Sequence, residues 1–398
     1  MAPSLDDQLR TLTWNAVEVV PDDGLGEKLK AGRPLRVKLG LDPTAEHVTL
    51  GWSVVLRKLK AFQDLGHQAV LIVGDFTARI GDPSEQNKTR PMLTKEQVDD
   101  HAANVLEQFF LILDREKTEI RRNSEWLETL GVEGFLKLAS HQTVAQTLQR
   151  EDFAERFKAN APISLLELSY PMLQGYDSVA VNADVEIGGT DQHFNLLVGR
   201  DMQRAFGQDP QVILTMPLIE GTDGVKKMSQ SLGNYIAITE PPDEMFGKVM
   251  SIPDELMEKY FKVTTDLSAA EIDAMIAEHP RPEARKRALA AEIVRLYHGD
   301  DAALRAAERF DEVFVAGKIP DDVPEVAIPP TSLEGDLVHI PRLLADVGLA
   351  DSSTAARRVI SQGGVYIDGK RLSAEQVKLG ELQGRVIAIG KRKFVRLT

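Results

Sequence analysis

The hydrophobic pattern over residues 37–62 predicts a strand, a turn and a helix in succession. Apolar and polar side chains alternate between residues 37 and 41, which predicts a short strand with one covered face. Asp42-Pro43-Thr44 then ends the strand, because proline fixes its own φ and disfavours helical geometry at the preceding residue. From Leu50 the spacing is helical, with Val54, Leu56, Leu59 and Phe62 expected to face inward and Arg57, Lys58 and Lys60 outward. In an α/β fold such a segment lies at the usual crevice for phosphorylated ligands, although an ordinary connection has the same pattern.

Further apolar runs predict an α/β body around this segment. Short strands are expected at 70–73, 184–189 and 212–216, and the first of these predicts a second buried parallel strand. Residues 1 to about 33 have the pattern of short helices with polar breaks. Residues 96–160 are mainly helical in pattern and charged, so we expect an insertion that covers the body or contacts a partner subunit.

Beyond residues 241–242 the pattern becomes helical, which predicts a helical bundle domain. A capping box opens a helix at Ser268, and a helix over 282–298 is ended by Gly299. The next helix is expected to bury a stripe formed by Leu304, Ala307, Phe310 and Phe314. Residues 318–337, which combine proline with acidic residues, are typical of a linker. In the tail, a helix after Ser352 carries two arginines, Asp368-Gly369 predicts a hairpin turn, and strands at 386–389 and 393–397 are expected to pair.

Composition adds a charge asymmetry to this picture. The chain of 398 residues has a net charge of −14 and contains no cysteine, which excludes disulfides and thiolate metal sites. No apolar run is long enough to span a bilayer and the start has no signal-peptide pattern, so we expect a cytoplasmic protein. Residues 339–398 hold 11 Lys and Arg against 5 Asp and Glu, a net of +6 on an otherwise acidic chain. Such a tail indicates a nucleic-acid contact, and on charge alone a basic solvated module is an equal alternative.

Four polar segments are candidates for chemistry. The loop 74–84 joins glycine, proline, carboxylates and a hydroxyl directly after a buried strand. Tyr170, Gln174 and Asp177 fall on one helix face, a poor core stripe and a good recognition surface. Residues 184–192 read as strand, two glycines and polar helix start, and residues 221–231 form a cationic, hydroxyl-rich loop. Taken singly, the glycines fit a tight turn and the loop a solvated surface.

Together these segments resemble the tyrosyl-tRNA synthetases of bacteria over nearly the whole chain. The markers, in the family's order, are the Gly-Leu-Asp-Pro-Thr turn, residues 74–84, Tyr170-x-x-x-Gln174-x-x-Asp177, Gly188-Gly189-Thr190-Asp191-Gln192 and Lys227-Met228-Ser229-Gln230-Ser231. Each is weak alone, and five in the right order are strong. The resemblance implies a class I synthetase with a Rossmann-type catalytic domain over 1–235, including a dimer-forming insertion at about 96–160. It further implies a helical anticodon-binding domain over 236–317, a linker over 318–337 and a small α+β RNA-binding domain over 338–398.

The implied reaction joins L-tyrosine and MgATP to tyrosyl-adenylate and then transfers tyrosine to the 3′ end of its tRNA. The substrate carboxylate is the nucleophile, so the protein needs only to position it and to stabilise phosphate charge. No bound organic cofactor and no structural metal are expected. The resemblance implies catalytic roles for Thr44, Thr49, Lys227, Gln230 and Arg90. It implies ATP binding by Asp42, Gly51, Gly189, Asp191, Lys227 and Met228.

For the amino acid, the resemblance implies a pocket of Thr77, Asp82, Tyr170, Gln174, Asp177 and Gln192. Tyr170, Gln174 and Asp82 would hold the ammonium group, with Gln192 nearby. Asp177 would accept a hydrogen bond from the phenol hydroxyl, and phenylalanine would leave that buried carboxylate unpaired.

The chain departs from the family at two signatures. The family's His-x-Gly-His is Thr49-Leu50-Gly51-Trp52 here, and Gln230 replaces the second signature lysine. Lys38 lies where some members have a tyrosine near the phenol. Losing one cationic donor would cost roughly 3 kcal/mol of transition-state stabilisation.

These departures motivate an alternative, a catalytically decayed synthetase-like RNA-binding protein. The complete tyrosine pocket argues against it and favours a working enzyme. A nucleotidyl-transferring enzyme for another small acid is a third hypothesis, and it fits Asp177 less well.

Overall fold

The structure consists of two compact units, Met1–Tyr297 and His298–Thr398. It is a computed structural model, and it describes residues 3–82, 94–315, 323–390 and 393–398. The predicted site residue Arg90 and the end of the loop 74–84 lie outside the described residues.

The first unit combines one six-stranded sheet with flanking helices. In chain order its elements are α1 (Leu5–Thr13), β1 (Glu18–Val20), α2 (Gly24–Lys30), β2 (Arg36–Leu41), α3 (Leu50–Asp64), β3 (Gln68–Val73), α4 (Lys95–Phe109), β4 (Thr118–Arg122), α5 (Ser124–Leu127), α6 (Gly131–Ala139), α7 (Val144–Thr147), α8 (Glu151–Lys158), α9 (Leu165–Ala180), β5 (Val185–Gly189), α10 (His193–Ala205), β6 (Val212–Met216), α11 (Pro242–Met250), α12 (Met257–Thr264), α13 (Ala269–Glu278) and α14 (Pro282–His298). Short 3₁₀ turns lie at Thr77–Arg79, Arg115–Lys117, Thr190–Gln192, Gln230–Leu232 and Asp254–Leu256.

The sheet has the strand order of a doubly wound nucleotide-binding fold. Its order is β1-β6-β5-β2-β3-β4, with every pair parallel except β1 against β6. The order reverses between β2 and β5, so the crevice beyond their carboxyl ends is where such sheets bind ligands. The predicted Rossmann-type α/β fold is therefore confirmed.

The predicted strand at 37–41 is buried more completely than its alternating pattern indicates. Lys38 is fully buried, so the expectation of a single covered face is wrong. A central parallel strand has elements on both faces, and a polar residue there needs buried partners.

Helix α3 also buries more charge than expected. Its four predicted apolar residues are buried, as expected, but Lys58 is buried and the Arg57 side chain is only 10% exposed, so their outward placement is wrong. The Lys58 Nζ donates to the carbonyl oxygens of Thr11 and Trp14 at the end of α1, and burial lowers its pKa to about 8. Arg57 contacts Asp266 and Tyr297. The hydrophobic period does not reveal such long-range partners.

Two edge strands have no counterpart among the predicted elements. β1 lies in the segment expected to hold only short helices, and β4 lies inside the predicted helical insertion at 96–160. Both are short, and β4 has the polar sequence Thr-Glu-Ile-Arg-Arg with no buried residue. An edge strand has a neighbouring strand on one side only and is partly exposed to solvent, so it needs no apolar run. The hydrophobic pattern therefore does not distinguish it from a loop.

The remaining helices follow their local signals. α9 begins at a capping box formed by Ser164 and Glu167, and it includes Pro171. The predicted capping box at Ser268 and the helix Pro282–His298 are confirmed, and Gly299 follows with a φ of 83°. Within the described residues, no helix is both long and apolar enough to cross a membrane.

The second unit is a small mixed fold preceded by a helix. Its elements are α15 (Asp300–Phe310), a π-helical turn Asp311–Val315, β7 (Glu325–Val326), a 3₁₀ turn Pro330–Ser332, β8 (Leu333–Glu334), β9 (Leu337–His339), α16 (Ile340–Asp346), α17 (Ser353–Ser361), β10 (Val365–Ile367), β11 (Lys370–Arg371), β12 (Gln376–Lys378), α18 (Leu379–Leu382), β13 (Val386–Ile389) and β14 (Lys393–Leu397). The sheets are ordered β11-β10-β13-β14-β7 and β12-β9-β8.

In the second unit, the predicted hairpin turn and strand pair are confirmed, whereas the predicted linker contains short strands and the predicted helix stripe differs from the structure. The hairpin β10–β11 turns at Asp368 and Gly369, both with positive φ, and β13 pairs with β14 as expected. β7 and β8 lie within the predicted linker and pair with β14 and β9. The predicted stripe is wrong on α15, because Leu304 is 64% exposed and the buried residues are Ala302, Ala303 and Ala306; its last member, Phe314, has a side chain outside the described residues.

Candidate active site

Polar residues follow the carboxyl ends of four neighbouring strands. Asp42 follows β2, Thr77 follows β3, Asn123 follows β4, and Asp191 follows β5. Gly40 lies on β2, and a β-carbon built there would meet no atom within 4 Å. The sheet therefore has open space beside the strand end where a flat side chain can lie.

Asp42 is held by two hydroxyl donors. Thr77 Oγ1 donates to its Oδ1 at 2.7 Å, and Tyr170 OH donates to its Oδ2 at 2.9 Å. A β-carbon on Gly74 would lie 1.9 Å from that Oδ1, so this arrangement requires glycine. Burial and the nearby Asp42 raise the pKa of the Tyr170 phenol well above its usual range, so it stays a neutral hydroxyl.

Asp177 is a buried carboxylate with two donors. Trp126 Nε1 donates to its Oδ1 at 2.8 Å, and Asn123 Nδ2 lies 3.4 Å from its Oδ2. Burial raises the pKa of Asp177 to about 7, while the Lys38 ammonium and these two donors act in the opposite direction. The carboxyl therefore titrates near neutrality and can accept a hydrogen bond from a phenol when ionised.

Lys38 has a complete set of partners beneath this region. Its Nζ lies 2.8 Å from Glu186 Oε1 and donates to Ser178 Oγ at 2.8 Å and to the Gln174 carbonyl at 3.1 Å. An ammonium has three donors, and three acceptors surround it. The buried ion pair ties β2 and β5 to α9, the helix that carries the predicted recognition face.

A network of amides and carboxylates includes Gln174 of α9. Gln192 Nε2 donates to Asp82 Oδ2 at 2.9 Å, and Asn195 Nδ2 lies 3.0 Å from Gln174 Oε1 and 2.9 Å from Gln192 Oε1. Arg150 NH1 donates to Asn195 Oδ1 at 3.0 Å. The network presents amide and carboxylate oxygens, which suit an ammonium ligand.

The candidate nucleotide side lies beyond β5. Lys227 Nζ pairs with Asp191 Oδ2 at 2.7 Å. A β-carbon on Gly189 would lie 2.5 Å from Asp191 Oδ1 and 2.9 Å from Leu218, so glycine is needed for that carboxylate position. A β-carbon on Gly51 would lie 3.3 Å from Thr49 Oγ1, which is a tight contact, and 3.8 Å from Met228 Cβ.

The part of the loop around Lys227 is held by side-chain contacts. Asn234 accepts from the Ser229 N–H at 2.9 Å and donates to the Lys227 carbonyl at 3.2 Å. Gln230 exchanges two hydrogen bonds with the main chain of His47, one in each direction. Gln230 therefore joins the loop to the turn before α3.

Thr49 and Trp52, which stand in place of the two histidines of the family's first signature, make structural contacts. Thr49 is the N-cap of α3 and accepts from the Trp52 N–H at 3.4 Å. The Trp52 ring packs on Phe109, with centroids 5.8 Å apart.

Seven of the predicted site residues lie in two connected groups. Hydrogen bonds join Asp42, Thr77 and Tyr170, and Asn123 links Thr77 to Asp177. Asp82, Gln174 and Gln192 form the second group through Asn195 and direct contacts. Thr44 joins the first group through its main chain, because the Thr44 N–H donates to the Asp42 carbonyl at 2.8 Å.

Sequence analysis missed several residues that complete the site: Gly40, Asn123, Trp126, Arg150, Asn195 and Asn234. Asn123 directly follows β4, so recognising that strand would have indicated it. Asn195 lies three residues after Gln192 on α10, where helical spacing is a usable signal. Arg150 has no such signal, because its partners are distant in sequence.

Comparisons with known proteins identify the family and agree with the fold. The family model described as "tRNA synthetases class I (W and Y)" matches residues 30–315, and the S4 domain model matches residues 340–382. The tyrosine–tRNA ligase of Thermotoga maritima is 50% identical over 397 residues, covering 99% of this chain and 98% of the relative. That of Burkholderia thailandensis is 51% identical over 379 residues, covering 94% and 90%. Among solved structures, the tyrosyl-tRNA synthetase of Archaeoglobus fulgidus complexed with L-tyrosine has a TM-score of 0.62 at 23% identity, covering 76% of this chain and all of that one, which supports the fold.

The chain therefore belongs to the class I tRNA synthetases whose members are specific for tryptophan or tyrosine. Within that class its relatives at about half identity over nearly the full length place it in the tyrosine–tRNA ligase family. The predicted family and the RNA-binding module in the tail are confirmed.

Proposed function

We propose that this chain activates L-tyrosine with MgATP, giving tyrosyl-adenylate and pyrophosphate, and then transfers tyrosine to the 3′ end of tyrosine tRNA. The observation that carries this proposal is the buried Asp177 carboxylate, on the same helix as Tyr170 and Gln174. Its pKa of about 7 leaves an acceptor for a phenol hydroxyl at neutral and alkaline pH.

The amino acid would bind by its two ends. Its phenol donates to Asp177, and its ammonium group donates to Asp82, Gln174 and Tyr170, with Gln192 nearby. Thr77 supports the site through its hydrogen bond to Asp42. The tyrosine carboxylate then attacks the α-phosphorus in line with the departing pyrophosphate, so positioning replaces general-base catalysis.

The nucleotide would lie beyond β2 and β5. Asp191 and Gly189 hold the ribose, Gly51 and Met228 border the adenine, and Asp42 completes the site. Lys227 exchanges its contact with Asp191 for the phosphates, where its charge stabilises the transition state. Thr44, Thr49, Gln230 and Arg90 assist at the pyrophosphate, and Mg²⁺ enters with ATP as part of the substrate.

We also propose a homodimer through the segment predicted as a dimer-forming insertion. Large apolar side chains there are exposed: Val132, Phe135 and Leu136 on α6, Val144 on α7, Phe157 on α8, and Leu165 and Leu166 at the start of α9. Helices α6 and α7 both pack on α9, and exposed apolar residues gathered in this way are typical of subunit interfaces.

For the other parts of the chain, the proposal assigns anticodon binding to the helical domain at 236–317 and further tRNA contacts to the basic domain at 338–398. Residues 318–337 join them, and the catalytic domain spans 1–235. A cytoplasmic location remains a prediction.

The first experiment is ATP–pyrophosphate exchange without tRNA, with tyrosine as substrate and phenylalanine and tryptophan as controls. Exchange with tyrosine alone supports the proposal and shows that Thr49, Trp52 and Gln230 are tolerated. Absence of exchange together with retained tRNA binding would favour the alternative, a catalytically decayed RNA-binding protein.

A further inference from the structure

Arg150 is a buried cation beside the residues proposed to bind the substrate ammonium. It is the N-cap residue of α8, and its side chain is only 5% exposed. Its NH2 lies 3.2 Å from Asp82 Oδ1, its NH1 donates to Asn195 Oδ1 at 3.0 Å, and its Nε lies 2.8 Å from Asp152 Oδ1. A guanidinium so close to an ammonium site calls for a specific reason.

The contact with Asn195 fixes the orientation of two glutamine side chains. Because Asn195 Oδ1 accepts from Arg150, its Nδ2 must face Gln174 Oε1 and Gln192 Oε1. Gln192 then directs its own Nε2 to Asp82 Oδ2. The Oε1 atoms of Gln174 and Gln192 therefore each accept from Asn195 Nδ2, and each can accept a second hydrogen bond.

The charges of three side chains balance in the same region. Asp152 faces the guanidinium Nε, while Asp82 touches the same guanidinium at the longer distance of 3.2 Å. One cation and two carboxylates leave a net charge of −1 among Arg150, Asp152 and Asp82. Asp152 therefore lowers the positive charge that a ligand ammonium would meet beside Arg150.

We propose that Arg150 is a positioning residue for tyrosine's ammonium group, and that Asp152 lowers the positive charge that the guanidinium would otherwise present to that group. The proposal rests on the proposed function and deepens it. Arg150 acts through Asp82 and Asn195, so it affects ligands that carry an ammonium group and not those that lack one.

The test compares two analogues of tyrosine by calorimetric titration of the full chain. Tyramine keeps the ammonium and phenol groups, and 3-(4-hydroxyphenyl)propionate keeps the phenol without the ammonium. Arg150→Lys retains the charge and loses the three-way guanidinium geometry. Asp152→Asn retains the shape and removes the neutralising charge.

Both variants should weaken tyramine and tyrosine by about 10-fold without weakening the propionate, which carries no ammonium group. Matched controls on the same helix are Arg156→Lys, whose side chain pairs with Glu167, and Glu151→Gln, whose side chain is exposed. The controls should bind all ligands like the parent chain.

Equal weakening of all three ligands, no change, or tighter tyramine binding by Asp152→Asn would each overturn the proposal. Asp152 is partly exposed in the first turn of α8, so its variant keeps the test available if Arg150→Lys fails to fold. Tyrosine-dependent exchange by the parent chain is measured separately, and its absence would count against the proposed function instead.

Discussion

Asp177→Asn should make the catalytic unit more stable while weakening its preference for tyrosine. The parent carboxyl has its pKa raised from 3.8 to about 7 by burial. Below about pH 4 the carboxyl is protonated in both folded and unfolded chains, so burial has no ionisation cost. Between pH 4 and pH 7 the unfolded chain releases the proton and the folded chain keeps it, so the parent loses stability as pH rises. Above pH 7 the cost is complete.

The shift sets the magnitude. A pKa difference of about three units corresponds to a cost of about 4 kcal/mol above pH 7, and about 3 kcal/mol of it is already present at pH 6. The amide still accepts from Trp126 Nε1 but cannot accept from both donors, which costs about 1–3 kcal/mol. The net expectation is stabilisation by about 1–3 kcal/mol at pH 8.5 and about 1 kcal/mol less than that at pH 6.

Urea unfolding followed by tryptophan fluorescence measures this effect. The chain has three tryptophans, Trp14, Trp52 and Trp126, and all lie in the first unit. Measurements at pH 6 and above avoid precipitation near the isoelectric point of about 5.2. Asp273→Asn, at an exposed position on α13, is the control, and its difference in stability from the parent should be the same at pH 6 and pH 8.5.

A variant that is less stable than the parent by the same amount at pH 6 and pH 8.5 would refute the reasoning. A stability difference that shrinks as pH rises would refute it as well. Either result would mean that the buried carboxyl is not the group whose ionisation costs stability.

Three further predictions concern catalysis and assembly. Lys227→Ala should lower kcat for tyrosine-dependent exchange about 10²- to 10³-fold. The control Lys226→Ala, at an exposed neighbouring position, should stay near the parent rate. Equal losses in the two variants would contradict a specific role for Lys227. Gln230→Ala removes the two hydrogen bonds between the Lys227 loop and the turn before α3. KM for ATP should therefore rise about 3- to 10-fold, with KM for tyrosine unchanged. Unchanged ATP kinetics would count against a role of these bonds in ATP binding. Phe135→Glu with Leu136→Glu should shift sedimentation from a dimer to the 44.0 kDa chain, and a dimer that persists would move the interface elsewhere.

Several features of the fold were predictable because they depend on neighbours along the chain. The strand–turn–helix at 36–64, the helix of Tyr170, Gln174 and Asp177, and the hairpin at Asp368-Gly369 follow from period, capping and turn chemistry. The two edge strands β1 and β4 were missed because a strand covered on one side needs no apolar run.

The site divides in a similar way. The ordered markers of the family are the source of the predicted site residues, and the roles of those residues remain predictions. Asn123 was missed because β4 was missed. Arg150 was missed because its partners Asp82 and Asn195 are distant in sequence.

The sequence by itself thus determined most of the elements and the family, since period, turns and ordered motifs can be read along the chain, and it predicted candidate site residues. Only the tertiary structure decided how buried charge is compensated. In the hydrophobic pattern Lys38 and Lys58 occupy positions typical of surface lysines. Each is nevertheless buried, with acceptors from other elements. A charged group is tolerated in the interior only where partners surround it, and the chain's path through space, not its local pattern, brings those partners together.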